Sequence, residues 1–444
     1  MIDLRIASSD LRSLRESLLE HEHERCAVLL AARGHCSNGR ELMLARETVL
    51  PSRDDYTQSG FDHAQLRPDF VARVSKQARL QQLSLVFVHT HPGTSAPRFS
   101  PTDDRGEDEL LAFLVRRRQG YRHAALVLSR GGISARLLGQ YEHIRVVSIG
   151  EERIVEFDPE VNVIGDVDMY DRQVRAFGSD GQRLLQNLRV AVVGLGGTGS
   201  ITVQQLVHLG VRRFTLVDPD KLELTNLNRV VGASKRDLGV SKPQVASRYI
   251  QEFAANAKVR QLNDDVIHAS VARHLVDSDV IFCCTDSHGS RSVVQQVAYQ
   301  YLIPCIDIGT TITTSAGKVT GIFGRVQQVG PDQPCLWCSN LLNSEEVRQD
   351  MMNDFERKAD PYIQGASTPA PSVISINGTV VSVAVTMFLG LVTSIPVQSR
   401  YLLYNAGTSN LRPVRASAKE GCFICSRTGA FGRGDTQALF ARKD

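Results

Sequence analysis

The 444-residue sequence is poor in the features that mark secreted, membrane-spanning or nucleic-acid-coating proteins. Its nine cysteines are too few and too unevenly spaced for a disulfide scaffold at this length. Lys and Arg total 51 against 48 Asp and Glu, too slight an excess to leave a nucleic-acid footprint. The N-terminus, Met1-Ile-Asp-Leu-Arg-Ile, has no basic region leading into an apolar one, which predicts no signal peptide. The most apolar stretch, residues 373–393, is interrupted by Ser375, Asn377, Gly378, Thr379, Ser382 and Thr386, and predicts a buried helix rather than a membrane span. With 42% hydrophobic and 22% charged residues, what remains is the composition of a cytoplasmic globular protein with room for two or three domains.

What is present is a glycine loop. Ala191-Val-Val-Gly-Leu-Gly-Gly-Thr-Gly-Ser200 reads as an apolar strand that enters a turn and opens a helix predicted over residues 200–209. Gly194, Gly196 and Gly199 stand at the G-x-G-x-x-G spacing, which suits a tight turn, a close approach to phosphate and a tight helix-to-strand contact. NAD, FAD and ATP all fit such a loop. The following strand, Phe214-Thr-Leu-Val-Asp218, ends on an acidic residue where a ribose hydroxyl is met, which still separates none of them. The run Asn226-Leu-Asn-Arg229, followed by Lys242, does discriminate, because a nucleotidyl-transfer site needs cations and amide donors around a triphosphate. Val280-Ile-Phe-Cys-Cys-Thr-Asp286 is a further strand, with an Asp at its C-terminal end that could hold Mg2+.

Upstream, Leu85-Val-Phe-Val88 predicts a buried strand ending in His89-Thr-His91-Pro92. Two histidines one residue apart at a strand end project to the same side, so both imidazoles can reach one metal ion. Ser100-Pro-Thr-Asp103 looks like a capped helix start with Asp103 in the first turn, and Asp104 is the alternative ligand if the helix begins one residue later. Glu24 stands just before another short buried strand, Cys26-Ala-Val-Leu-Leu. Near the other end, Cys335-x-x-Cys338 and Cys422-x-x-Cys425 supply the four thiolates of a closed structural zinc site.

The Glu, H-x-H-P and S-x-x-D series resembles the JAB/MPN metalloprotease family. The resemblance implies Zn2+ held by His89, His91 and Asp103, Glu24 as general base, and Ser100 as stabiliser of the oxyanion. It also implies cleavage of peptide or isopeptide bonds after the C-terminal glycine of a ubiquitin-like protein. The stretch from about Tyr170 through Cys425 is similar to ubiquitin-activating enzymes and the thiamine- and molybdopterin-pathway adenylyltransferases. That likeness implies ATP over Gly194, Gly196 and Gly199, with Asp218 on the ribose and Asn226, Arg229 and Lys242 on the phosphates. Asp286 would hold Mg2+, and Arg172 would cross a homodimer interface toward the triphosphate. The implied chemistry is attack of a C-terminal glycine carboxylate on the ATP α-phosphate.

The expected fold class is α/β: an N-terminal JAB/MPN α+β domain over residues 1–150, a linker over 151–168, and a Rossmann-like doubly wound adenylation domain over 169–444. The second domain would carry a crossover loop over 339–368 and the zinc knuckle. Relatives that form a thioester carry a cysteine in or near that loop, and this chain has none between Cys338 and Cys422. The adenylate would then pass to a partner such as a conjugating enzyme, or to a hydroxyl such as Ser367 or Thr368. Sulfur-carrier activation, or a non-catalytic scaffold, are the alternative functions.

Overall fold

The computed structural model describes the chain apart from residues 1, 21, 61–62, 118–120, 160–167, 361–369 and 444. It forms two compact units. The first comprises Met1–Val161 together with Gln300–Leu302 and Ala430–Ala438, and the second comprises Asn162–Tyr299, Ile303–Gly429 and Leu439–Asp444.

The first unit is built from β1 (Ile2–Ala7), α1 (Ser8–Leu19), β2 (Cys26–His35), β3 (Glu41–Val49), β4 (Tyr56–Ser59), β5 (Ala64–Leu66), α2 (Pro68–Leu80), β6 (Ser84–Thr90), α3 (Pro101–Arg116), β7 (Ala124–Ser129), β8 (Gly132–Leu137), β9 (Arg145–Ile149) and β10 (Arg153–Phe157). Eight of these strands make one mixed sheet in the order β10-β9-β1-β3-β2-β6-β7-β8. β1, β2, β6 and β7 are apolar along most of their length, as strands covered on both faces are. In α1, Leu11, Leu14 and Leu18 fall at helical spacing and are buried. α2 does the same with Phe70, Val71, Val74 and Ala78. The antiparallel pairing of β2 with β6 places Cys26 opposite His89. This register brings Glu24 to the histidine pair.

The Ala430–Ala438 segment of this unit is fastened by polar groups. Asp435 accepts from the His35 N–H at 3.0 Å and from the Tyr301 hydroxyl at 2.9 Å. Gly434 has φ +50°, and a Cβ there would lie 2.2 Å from the Arg33 carbonyl oxygen, so the strap needs glycine at that point.

The second unit runs α4 (Asp171–Asn187), β11 (Arg189–Val193), α5 (Gly197–His208), β12 (Arg213–Val217), α6 (Lys242–Phe253), β13 (Lys258–Leu262), α7 (Ala269–His274), β14 (Val280–Cys283), α8 (His288–Gln300), β15 (Cys305–Ser315), β16 (Lys318–Val329), α9 (Ser344–Asp350), α10 (Asp354–Ala359), α11 (Ile374–Val392), β17 (Tyr401–Asn405) and β18 (Asn410–Pro413). Its sheet has the order β13-β12-β11-β14-β15-β16-β17-β18. The first five strands are parallel and the rest antiparallel. The chain steps outward from β11 to β13 and then returns to β14 on the other side. The switch point therefore lies between β11 and β14, where a doubly wound sheet binds its ligand.

Among the described residues one helix, α11, is long and apolar enough to cross a membrane, and half of that stretch is buried inside the fold. It packs on α5, β15 and β16. Val381, Ala384, Met387, Phe388 and Leu391 enter the core, with the Phe388 ring 5.5 Å from that of Phe282. The expected buried helix is therefore observed.

Candidate functional site

At the first candidate site, His89 is the last but one residue of β6 and His91 follows the strand, with their Nε2 atoms 3.3 Å apart. Thr90, between them, faces the other way: its N–H donates to the Arg25 carbonyl at 3.0 Å and its hydroxyl accepts from the Arg25 N–H at 2.9 Å. Those bonds extend the β2–β6 ladder to the residue beside Glu24. Asp103 comes from the first turn of α3, where Ser100 is the N-cap. The Asp103 N–H donates to the Ser100 hydroxyl at 3.2 Å, and the Ser100 N–H donates to the Asp103 carboxylate at 2.6 Å.

Asp103 oxygens lie 3.1 Å from His89 Nε2 and 3.5 Å from His91 Nε2. The two distances are to different oxygens of the carboxylate; ligands at about 2.0–2.1 Å on a tetrahedral ion stand about 3.3 Å apart, so the two imidazoles and the carboxylate are spaced as zinc ligands are. The buried Glu24 stands outside this trio, 3.8 Å from His91 Nε2. Burial opposes ionisation of Asp103, but hydrogen bonds from His89 and His91 outweigh it and hold the carboxyl well below the usual range. The alternative, Asp104, is not part of this group: its carboxylate pairs with Arg136 at 2.6 Å. Arg136 also binds Glu107 and stacks on Phe99, whose ring meets the edge of His89.

The second candidate site is at the switch point. Gly194 follows β11 with φ +85°, and a Cβ there would lie 2.8 Å from the Cys284 carbonyl carbon. At Gly199 a Cβ would lie 1.8 Å from the Gly194 oxygen, so α5 rests directly on the loop. Gly196 is the N-cap of α5, which opens at Gly197 and not at Ser200 as the helical pattern suggests. Asp218 is buried after β12 and accepts from the Leu195 N–H at 2.6 Å and the Asp220 N–H at 2.9 Å. Burial pushes its carboxyl up, against the pull of Lys242. Lys242, first residue of α6, has its Nζ 3.5 Å from Asp218 and 2.6 Å from Asp220.

Arg229 reaches the loop through its stem, since Cδ is 3.4 Å from where a Gly197 Cβ would stand; its guanidinium donates to the Thr225 carbonyl at 2.6 Å. Asn226 shapes the turn that carries Arg229, its side-chain oxygen accepting from the Glu223 N–H at 3.2 Å. Asp286 is exposed in the loop between β14 and α8. Arg172 is exposed at the start of α4, and no described contact joins it to the glycine loop.

Two residues here were not singled out from the sequence. Asn377 of α11 is buried, and its amide nitrogen lies 2.2 Å from where a Gly197 Cβ would be. It donates to the Ser372 hydroxyl at 3.1 Å and accepts from Thr310 at 3.2 Å. The only signal was an Asn inside an apolar run. Arg291 donates twice to the Thr285 carbonyl, at 3.0 and 2.8 Å, and pairs with the fully buried Asp307 at 3.2 Å. It holds the backbone beside Asp286.

The four cysteines of the paired turns meet. Cys335 and Cys422 Sγ atoms are 3.6 Å apart, as are those of Cys338 and Cys425. Thiolates at about 2.3 Å from one zinc would be about 3.8 Å apart. Backbone N–H groups of Cys338 and Lys419 point at Cys335 and Cys338 sulfur, at 3.4 and 3.2 Å. Hydrogen bonding from Cys335, more than offsetting burial, pulls the Cys425 thiol below the ordinary thiol range. The remaining cysteines, Cys26, Cys36, Cys283, Cys284 and Cys305, are buried or half-buried and form no disulfide. Ser367 and Thr368 lie outside the described residues.

These sites sit in segments that match known families. The family model described as prokaryotic homologs of the JAB domain matches residues 9–137, and that of the ThiF family matches residues 170–424. The chain is 27% identical over 260 residues to the molybdopterin-synthase adenylyltransferase of Escherichia coli (strain K12), covering 58% of this chain and 96% of that protein. It is 28% identical over 174 residues to the SAMP-activating enzyme E1 of Haloferax volcanii, covering 39% and 61%. Among solved structures, E. coli MccB with ATP is similar at 17% identity and a TM-score of 0.44, covering 61% of this chain and 76% of that one. The ThiF match alone spans more than half of the chain, which therefore belongs to the ThiF family and carries a JAB domain ahead of its Rossmann-like adenylyltransferase domain.

Proposed function

We propose that the chain is a bifunctional, cytoplasmic enzyme acting on the C-terminal glycine of a ubiquitin-like protein: one site adenylates it and the other cleaves peptide or isopeptide bonds after it. The observation that carries this reading is the gathering of His89, His91 and Asp103, with Glu24 beside them, on a chain of the ThiF family. In adenylation, a glycine carboxylate oxygen attacks the α-phosphorus of ATP, the bond to the β-phosphate oxygen breaks, and pyrophosphate leaves. Arg229 and Lys242 neutralise the phosphates, Asn226 supports Arg229, and Asp218 receives the ribose. Asp286 would hold Mg2+ with the phosphates, the usual mode of a single carboxylate. Arg172 would serve the second protomer of a homodimer. The load is charge neutralisation and alignment, so no general base is needed.

In the JAB domain, His89, His91 and Asp103 would hold Zn2+, which supplies Lewis-acid polarisation when bound. Glu24 takes the proton of the attacking water and delivers it to the leaving amine. The Ser100 hydroxyl accepts the Asp103 N–H and keeps its own hydrogen for the oxyanion.

The test is ATP–pyrophosphate exchange with a glycine-ended ubiquitin-like protein, beside cleavage of the same protein extended beyond its glycine. Exchange should need the terminal glycine. Glu24→Gln should lower cleavage by about 10²–10⁴-fold with exchange unchanged. Exchange indifferent to the protein partner, or cleavage intact in Glu24→Gln, overturns the reading. Similarity to the molybdopterin-synthase adenylyltransferase over nearly its whole length favours one second reading, in which the adenylate becomes a thiocarboxylate on a sulfur carrier. Mass analysis of the protein product distinguishes the two.

A further inference from the structure

The segment after the first Cys-x-x-Cys turn is fastened to the loop that bears Asp286. One Asp350 carboxylate oxygen, at the end of α9, accepts from the Ser287 hydroxyl at 2.8 Å and from the Gly289 N–H at 2.9 Å. Ser287 in turn accepts from the Ser290 N–H at 3.1 Å. A second clasp lies alongside. His288 Nδ1 accepts from the Asn343 N–H at 3.1 Å, which leaves Nε2 as the protonated nitrogen, 3.2 Å from the Glu346 carboxylate. Asn343 also caps α9 by accepting from the Glu345 and Glu346 N–H groups.

Packing is as demanding as the hydrogen bonding. A Cβ on Gly289 would lie 2.6 Å from the Asp350 Cβ, so no other residue fits beneath the clasp without displacing it. Arg357 of α10 holds Asp350 from the far side, at 3.9 Å, while donating to the Gln349 carbonyl at 2.9 Å. Asp286 therefore stands between two anchors: Arg291 on the Thr285 carbonyl before it, and Asp350 on Ser287 and Gly289 after it. A loop held only at Thr285 would leave the Asp286 carboxylate free to swing with Ser287.

We propose that Asp350 is a positioning residue for the adenylation reaction, holding the β14–α8 loop so that Asp286 presents its carboxylate to the magnesium-bound triphosphate. This rests on the ATP reading above. Asp350 touches neither substrate nor metal, so its removal should alter the magnesium requirement and leave metal-free nucleotide binding as it is. A helix cap without that role would change stability alone.

The experiment uses the full chain as Asp350→Ala, Asp350→Asn, Gly289→Ala and Asp286→Ala/Asp350→Ala. ATP binding is titrated calorimetrically in EDTA and across a magnesium series, with melting temperature and pyrophosphate exchange measured alongside. Asp350→Ala and Gly289→Ala should bind ATP within about twofold of wild type in EDTA. Both should need about fivefold to tenfold more magnesium for half of the magnesium-dependent gain. Asp350→Asn keeps an oxygen that can accept from Gly289 and Ser287, and should restore most of the loss. The double variant should show no larger magnesium defect than Asp286→Ala alone, as expected of two residues acting through one carboxylate. A magnesium requirement unchanged in Asp350→Ala, or additive losses in the double variant, overturns the proposal. A wild-type chain that binds magnesium–ATP yet gives no exchange with a glycine-ended protein sinks the activity reading, and the binding series then decides Asp350 by itself.

Discussion

Asp286→Ala is expected to keep the fold and the glycine loop while lowering ATP–pyrophosphate exchange by about 10²–10³-fold, the usual cost of removing one preorganised electrostatic group from a transition state. The reasoning is topological before it is chemical. β11 and β14 are neighbours whose connections leave in opposite directions, so the loops after them form the walls of one crevice. One wall is Gly194–Gly199, which has backbone N–H groups and almost no side chains to offer. The other is the loop carrying Asp286, an exposed carboxylate; the buried Arg291 feels its charge but keeps Asp307 as a partner when it is removed. Stability should therefore move by no more than about 0.5 kcal/mol. Cleavage by the JAB domain should be untouched. Exchange at the wild-type rate in Asp286→Ala would remove this residue from the adenylation site.

Cys422→Ser should have the largest effect on stability. Four sulfurs with paired distances of 3.6 Å are too crowded to remain four thiolates without a cation between them. Their union joins two turns that are 87 residues apart in the chain. Loss of a structural zinc ligand should destabilise the second unit by about 3–5 kcal/mol, since metal affinity in such sites is folding free energy. The protein carries its own reporter. Its one tryptophan, Trp337, lies between Cys335 and Cys338 with its ring 5.7 Å from that of Phe423. Tryptophan emission should change as a chelator strips the knuckle, and zinc content should fall by one equivalent in Cys422→Ser. His89→Ala should lose an equivalent with no change in emission. An unchanged melting curve and full zinc in Cys422→Ser would refute the four-thiolate site.

Much of both sites was legible because they rest on short-range geometry. A histidine pair at the end of a strand follows from the two-residue period, and Ser-Pro before two acidic residues fixes a helix start. That start also settles which acid faces the histidines, since Pro101 opens α3 and the third position is Asp103. That Asp104 belongs to Arg136, 32 residues on, could not be read from spacing, because it depends on the β7–β8 hairpin turning back beside α3. Glu24 could be placed by family resemblance alone, its nearness to His91 being a consequence of the β2–β6 register. Asn377 escaped because tertiary packing, not local pattern, lays α11 against the glycine loop. α5 opens three residues ahead of its apolar pattern, at glycines whose poor helix propensity is overridden where a Cβ would collide with the turn.

The strap of Ala430–Ala438 bears on how this protein is made. Asp435, which joins His35 and Tyr301, lies 400 residues beyond the strand residue it fastens. During synthesis the JAB sheet lacks this fastening until the Asn162–Tyr299 and Ile303–Gly429 segments of the adenylation unit have been made.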